Sequence, residues 1–397
     1  MNKKNIITLI LSLFTLMGQA QMKCHIEGEL CDTTQGKTVL ILPADVDIRV
    51  SDNYITAKVD AQGRFSCDVE TNKIGLYQVF LYEQYKNGSW MSKNFLVEDN
   101  ATVSLLFDDN AWKVISGGSE QTQKLKMDAE AERLYISKMN LIEKEAMKEL
   151  RPRMEELQRQ GKNPEEDTLL MKRTQEFNTE YKKLFEQYRT WEYDYYEAHT
   201  MLYALYDIAE RMQYRSERHD EMKSRLMSIY HSAYENFHPE NPIHNTILTL
   251  EAGWHLTPGK PYIDFEVMTG DGERVNVSSL YRGKIAVIDF WASWCGPCRQ
   301  HSKDLIPLYE KYKKHGFTVI GIAHEDKVSY MTNAAEKDGY PWQNYIDLKD
   351  ELKVWQKNGL GFSGGGMFLI DRDGTILSTS TEIDELEPLI RKALCIQ

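Results

Sequence analysis

Two cysteines separated by two residues, in Trp294-Cys295-Gly296-Pro297-Cys298, carry a spacing suited to reversible dithiol chemistry. Just before them, Ile285-Ala-Val-Ile-Asp-Phe-Trp291 is an apolar run of buried-strand length, and the residues from Pro297 read as a helix. A strand-to-helix junction puts the first thiol at a helix N-terminus, where free N–H groups and the helix dipole favour thiolate over thiol. Cys295 is therefore the expected nucleophile. Pro297 suits the first helical turn, where its missing N–H costs nothing, and Cys298 is near enough to close a disulfide with Cys295. The other four cysteines, Cys24, Cys31, Cys67 and Cys395, lack such a setting. A bridge from Cys24 or Cys31 to Cys67 and simple unreactive thiols are both open. The chemistry calls for no cofactor and no metal.

The elements that must position this pair belong to a chain of 397 residues, 42% of them hydrophobic, enough for two or three domains. A net charge of -12 argues against nucleic acid as a partner. Residues 1–20 read as a signal peptide: Lys3 and Lys4, an apolar run from Ile6 to Met17, then Gly18-Gln19-Ala20 as a cleavage site. The apolar run falls short of the ~20 residues of a spanning helix, and no later segment reaches that length. The expectation is export to the periplasm with no stable membrane insertion after cleavage.

Residues 21–118 alternate apolar and polar positions in short runs such as Val39-Leu-Ile-Leu42 and Val103-Ser-Leu-Leu-Phe107, separated by turn signals such as Asn87-Gly88. They predict an antiparallel, sandwich-like β domain. Residues 119–254 turn to charged, helix-forming residues and predict a helical region. Its aromatic cluster, including Tyr188, Trp191, Tyr195, Tyr196, Tyr203 and Tyr206, suits a groove, though helix packing explains it more simply. Residues 255–397 predict a mixed α/β sheet: strands over 263–267, 275–277 and 285–291, a helix over 297–314, and a strand over 317–323. Helices follow over 328–337 and around 350–358, then the hairpin 367–371 with 375–378, turned by Asp373-Gly374, and a closing helix over 385–394.

The segment Ile285-Ala-Val-Ile-Asp-Phe-Trp-Ala-Ser-Trp-Cys-Gly-Pro-Cys-Arg299 resembles the active-site segment of the thioredoxin superfamily. Gly259-Lys-Pro-Tyr-Ile-Asp-Phe265, Leu280-Tyr-Arg-Gly-Lys284 and Phe368-Leu-Ile-Asp-Arg-Asp-Gly374 narrow the resemblance to the TlpA/ResA-like, extracytoplasmic branch. It implies a thioredoxin-like fold over the C-terminal domain and dithiol/disulfide exchange. By the same resemblance Asp289 stands at the buried acid, a general base for Cys298 or a structural carboxylate. Trp294 shields the sulfur and offers a partner surface, and Trp291 belongs to the core.

Three positions depart from that pattern. His301 replaces a glutamate three residues after the second cysteine; it either tunes thiol ionisation or is a solvated surface residue. Lys303 replaces the kinking proline, with Pro307 one turn later. Gly365, within Gly364-Gly365-Gly366, stands where a cis-proline would face the disulfide, which predicts a trans or irregular loop.

The expected function is an exported thiol-disulfide oxidoreductase acting on protein disulfides and recharged by an upstream thiol donor. Its rivals are a binding or scaffold protein using a thioredoxin-like platform, and a peroxiredoxin, for which Ser293-Trp294-Cys295 lacks the usual Thr-x-x-Cys context.

Overall fold

A computed structural model describes residues 21–32, 34–89, 91–214, 219–361 and 364–396, so the leader predicted for residues 1–20 lies outside the described residues. Eight strands open the chain: β1 Met22–Leu30, β2 Thr38–Pro43, β3 Ile55–Lys58, β4 Arg64–Thr71, β5 Gly75–Leu81, β6 Lys93–Val97, β7 Thr102–Asp108 and β8 Ala111–Ser116. A short helix not foreseen in the sequence, α1 Tyr82–Lys86, follows β5. The strands form two sheets, ordered β4-β1-β7-β8 and β3-β2-β5-β6. Their pairs are antiparallel except β1 with β7, which run parallel. Alternating side chains such as Ile26, Val39, Ile41, Val79, Val103 and Phe107 fill the space between the sheets. Cys24 and Cys67 lie on neighbouring strands, where Cys24 faces Val69 and Cys67 faces Ile26, and all four cysteines outside the motif are free.

Glu98, just after β6, joins this sandwich to the helices. Its carboxylate accepts the N–H groups of Glu120 and Gln121 and the Ser119 hydroxyl at the start of α2 Ser119–Ala131. There follow α3 Ser137–Arg159, α4 Thr168–Ala198, α5 Leu202–Met212, α6 Asp220–Ile229 and α7 Ile243–Trp254. Tyr196 and Leu202 are wholly buried among them, and Tyr188, Trp191 and Tyr195 pack ring to ring along α4. Helix packing accounts for the aromatic cluster.

The C-terminal unit is built on a seven-stranded sheet. Its elements are β9 Glu266–Met268, β10 Arg274–Asn276, α8 Val277–Tyr281, β11 Ile285–Trp291, α9 Gly296–Tyr312, β12 Phe317–Glu325 and α10 Val328–Asp338. They end with β13 Asn344–Leu348, α11 Val354–Lys357, β14 Gly366–Ile370, β15 Ile376–Ser378 and α12 Ile383–Ala393. The order is β10-β9-β13-β12-β11-β14-β15, with β11 parallel to β12 and antiparallel to β14. This is a thioredoxin-like sheet with an apolar core on each face, one around Phe290 and Phe368, the other around Leu305 and Leu386. Pro307 sits inside α9 without ending it.

The helix expected around 350–358 shrinks to the single turn α11. Lys349, Asp350 and Lys353 adopt positive φ (55°, 57° and 52°), a conformation that helix propensity does not forecast for these residue types. The helical region meets the thioredoxin-like unit at a close backbone approach: a Cβ on Gly253 of α7 would stand 2.4 Å from the nitrogen of Gly359. Only a residue without a side chain fits there.

Candidate active site

All seven residues of β11 are buried, which is why the strand reads as an unbroken apolar run around one carboxylate. The chain leaves the strand in a tight turn closed by Cys295 N–H donating to the Ala292 carbonyl at 3.0 Å. Cys295 is the N-cap of α9, and its sulfur accepts from the N–H of Cys298 at 3.3 Å. Pro297 occupies the first turn, as its missing donor allows. Cys295 and Cys298 are joined as a disulfide, with Cα atoms 5.3 Å apart and each residue 8% exposed. When the bond is reduced, the helix N-terminus favours negative charge on the Cys295 sulfur.

Beneath the pair lies Asp289, 1% exposed. Burial pushes its carboxyl up to about 7, against the opposing pull of a hydrogen bond from Ser302 Oγ. That hydroxyl donates to Asp289 Oδ2 at 2.6 Å and also lies 3.0 Å from the Cys298 carbonyl oxygen, so one proton serves two acceptors. A carboxyl poised near neutrality can both take and return a proton at physiological pH.

On the opposite wall, residues 364–366 bring bare backbone against the sulfurs. The N–H of Gly365 points at Cys298 Sγ, 3.3 Å away, a bond that a proline there could not make. A Cβ on Gly365 would fall 1.8 Å from the Phe290 carbonyl oxygen, so the approach depends on glycine. No cis peptide bond occurs among the described residues. Asp289, Trp294, Cys295, Pro297, Cys298, His301 and Gly364 to Gly366 all border one cleft of about 450 Å³. His301 is half-buried at its edge. The structure thus brings together every candidate site residue that the sequence singled out.

Sequence reasoning missed the residues that hold the turn. Glu325, at the end of β12, accepts both the N–H and the hydroxyl of Ser293, and burial pushes its own carboxyl up. Arg299 grips Asp338 through two bonds of 2.6 and 2.8 Å and donates to the Ser293 carbonyl at 3.1 Å. Every polar group of Ser293 is therefore tied down two residues before Cys295. Ser302 had a faint signal, since it follows Cys298 by one helical turn. Glu325 and Asp338 had none.

A dithiol at the N-terminus of a helix that follows a central buried strand, with a buried acid beneath it, defines a thioredoxin-like redox domain. Residues 258–379 match the AhpC/TSA family. The thiol-disulfide oxidoreductase ResA of Geobacillus thermodenitrificans is 30% identical over 151 residues, covering 38% of this chain and 78% of that protein. ResA of Bacillus thuringiensis (strain Al Hakam) is 28% identical over 123 residues, 30% of this chain. The chain spans 66% of that relative's length. Among solved structures, the thioredoxin domain of a thiol-disulfide oxidoreductase from Bacteroides vulgatus shares 25% identity with a TM-score of 0.32, covering 34% of this chain and 97% of that one. The chain belongs to the ResA-like branch of the thioredoxin superfamily.

Proposed function

We propose that this protein is a thiol-disulfide oxidoreductase that reduces disulfides of envelope proteins. The observation that carries the reading is the Cys295–Cys298 disulfide at the N-terminus of α9, bordering the same cleft as a buried carboxyl raised to about 7. In the reduced protein the Cys295 thiolate attacks one sulfur of a partner disulfide. A mixed disulfide forms and the partner's second sulfur leaves as a thiolate, which takes up a proton. Cys298 then loses its proton to Asp289 and attacks Cys295 Sγ. The partner's first sulfur departs, two electrons have passed to the partner, and the Cys295–Cys298 disulfide is restored. An upstream thiol donor reduces it for the next cycle.

Export rests on the leader read in residues 1–20; among the described residues no helix is long and apolar enough to cross a membrane. N-terminal sequencing of the exported protein tests cleavage after Ala20. The activity is tested by insulin reduction with dithiothreitol as electron source. The full chain is expected to accelerate it and Cys295→Ser to abolish it. Cys298→Ser expressed in the native compartment should hold substrates as mixed disulfides, whereas an empty trap would favour a binding platform. A probable phospholipid hydroperoxide glutathione peroxidase of Arabidopsis thaliana, 28% identical over 140 residues, raises a peroxidase reading, which hydrogen peroxide consumption by the reduced protein would support.

A further inference from the structure

One loop of the β sandwich, residues 45–50 between β2 and β3, reaches the dithiol. Asp47 in this loop is 5% exposed, and its carboxylate accepts three bonds from Arg49: from the backbone N–H at 2.9 Å, Nε at 2.8 Å and Nη2 at 2.7 Å. The guanidinium is thereby fixed as a plane. Its carbon lies 3.6 Å from the centre of the Trp294 ring, the residue immediately before the nucleophile. On the thioredoxin-like side, Trp294 packs on Trp355 with centroids 6.0 Å apart, and Trp355 stacks on His324 at 4.7 Å. His324 Nε2 in turn lies 3.5 Å from Asp47 Oδ2. The contacts form a closed ring from Asp47 through Arg49, Trp294, Trp355 and His324 back to Asp47, and it crosses between the two domains.

Two further observations bear on what the ring does. The Trp294 indole N–H has no hydrogen-bond partner among the described residues, so stacking rather than a polar bond fixes this half-buried ring. Burial acts to raise the Asp47 carboxyl, but the neighbouring His324 ring and the Arg49 cation with its hydrogen bonds prevail and hold it at about 2. Its anion therefore persists at any pH at which thiols exchange, and so does its hold on Arg49.

We infer that Arg49 is a positioning residue of the exchange site: the β sandwich holds the Trp294 ring through it and so shapes the surface on which a protein disulfide docks beside Cys295. This inference rests on the exchange reading and assigns the N-terminal domain a part in substrate binding. A partly desolvated cation over an indole contributes up to about a tenfold effect on binding. Its loss should appear in docking rather than in the chemical step.

The test is insulin reduction by the full chain, with dithiothreitol as reductant and KM and kcat measured separately. Arg49→Ala is expected to raise KM about three- to tenfold while kcat stays within about twofold. Arg49→Lys keeps the cation but not the planar fork, and should fall between the two. In a Trp294→Ala background, Arg49→Ala should change KM less than about twofold, because the residue it acts through is gone. An unchanged KM in an otherwise active Arg49→Ala protein would overturn the inference alone. So would an equal rise in KM with and without Trp294, or a fall in kcat and thermal midpoint together that Arg49→Lys does not rescue. An unaltered chain that fails to reduce insulin would instead overturn the exchange reading, and this inference with it.

Discussion

Asp289→Asn separates the two roles open to the buried acid. Burial lifts the carboxyl from 3.8 to about 7 in the folded, disulfide-bonded protein. The folded chain thus keeps a proton that the unfolded chain has already released. The stability associated with this group is intact below about pH 3.8 and is lost as pH rises through about 7. A shift of roughly three units at 1.36 kcal/mol each amounts to about 4 kcal/mol once both states are ionised. Asparagine keeps an oxygen to accept from Ser302 Oγ but cannot ionise. The oxidised variant should therefore be more stable than the native protein by about 4 kcal/mol at pH 8 and by only about 1.5 kcal/mol at pH 5. Urea unfolding followed by tryptophan fluorescence at the two pH values measures the difference. In the exchange cycle proposed above the same variant lacks the base, so insulin reduction at pH 7 should fall about a hundredfold or more. A stability gain that does not grow with pH would refute the buried, proton-holding carboxyl. A gain that grows with pH while turnover is unaffected would leave Asp289 ionisable but idle in the reaction.

Three other substitutions probe its surroundings. Ser302→Ala removes the bond that lowers the Asp289 pKa, so the pH at which turnover rises should move upward by up to about one unit, at a stability cost of about 1 kcal/mol; a pH–rate profile at fixed insulin concentration reads the shift. Gly365→Ala puts a methyl group against the Phe290 carbonyl and should cost about 1–3 kcal/mol in the urea transition, whereas a neutral result would mean that the loop yields easily. Glu325→Ala leaves the Ser293 N–H and hydroxyl without their acceptor, and a loss of about 1–3 kcal/mol is expected, together with faster iodoacetamide labelling of Cys295 in the reduced protein as the turn loosens.

What could be read in the sequence was what local pattern encodes. The unbroken apolar run of β11 read as a buried strand, and the family resemblance placed Asp289 within it as the buried acid. Cys295 and Cys298 were legible because strand, turn and helix are contiguous there. The residues that brace them arrive from elsewhere: Glu325 from the end of β12, Asp338 from the end of α10, Arg49 from another domain. Each is an ordinary charged residue in its own stretch and acquires meaning only through topology. The shortened helix α11 shows a second limit, since Lys349, Asp350 and Lys353 take a positive φ that their residue types do not forecast.

The glycine facing the disulfide bears on how the labour is divided at this site. Both sulfurs lie 3.3 Å from a backbone N–H, Cys295 from that of Cys298 and Cys298 from that of Gly365. A proline at position 365 would give the second sulfur no donor. Such a neutral hydrogen bond contributes about 0.5–1.5 kcal/mol, at most about a tenfold change in ionisation. That is too little to ionise a buried thiol unaided, because burial opposes charge more strongly than one such bond favours it. In the proposed cycle Gly365 therefore eases the departure of the Cys298 proton without replacing the group that takes it. The two effects should be separable: Gly365→Ala should slow exchange modestly with the pH midpoint near 7 retained, whereas Asp289→Asn should remove the midpoint itself.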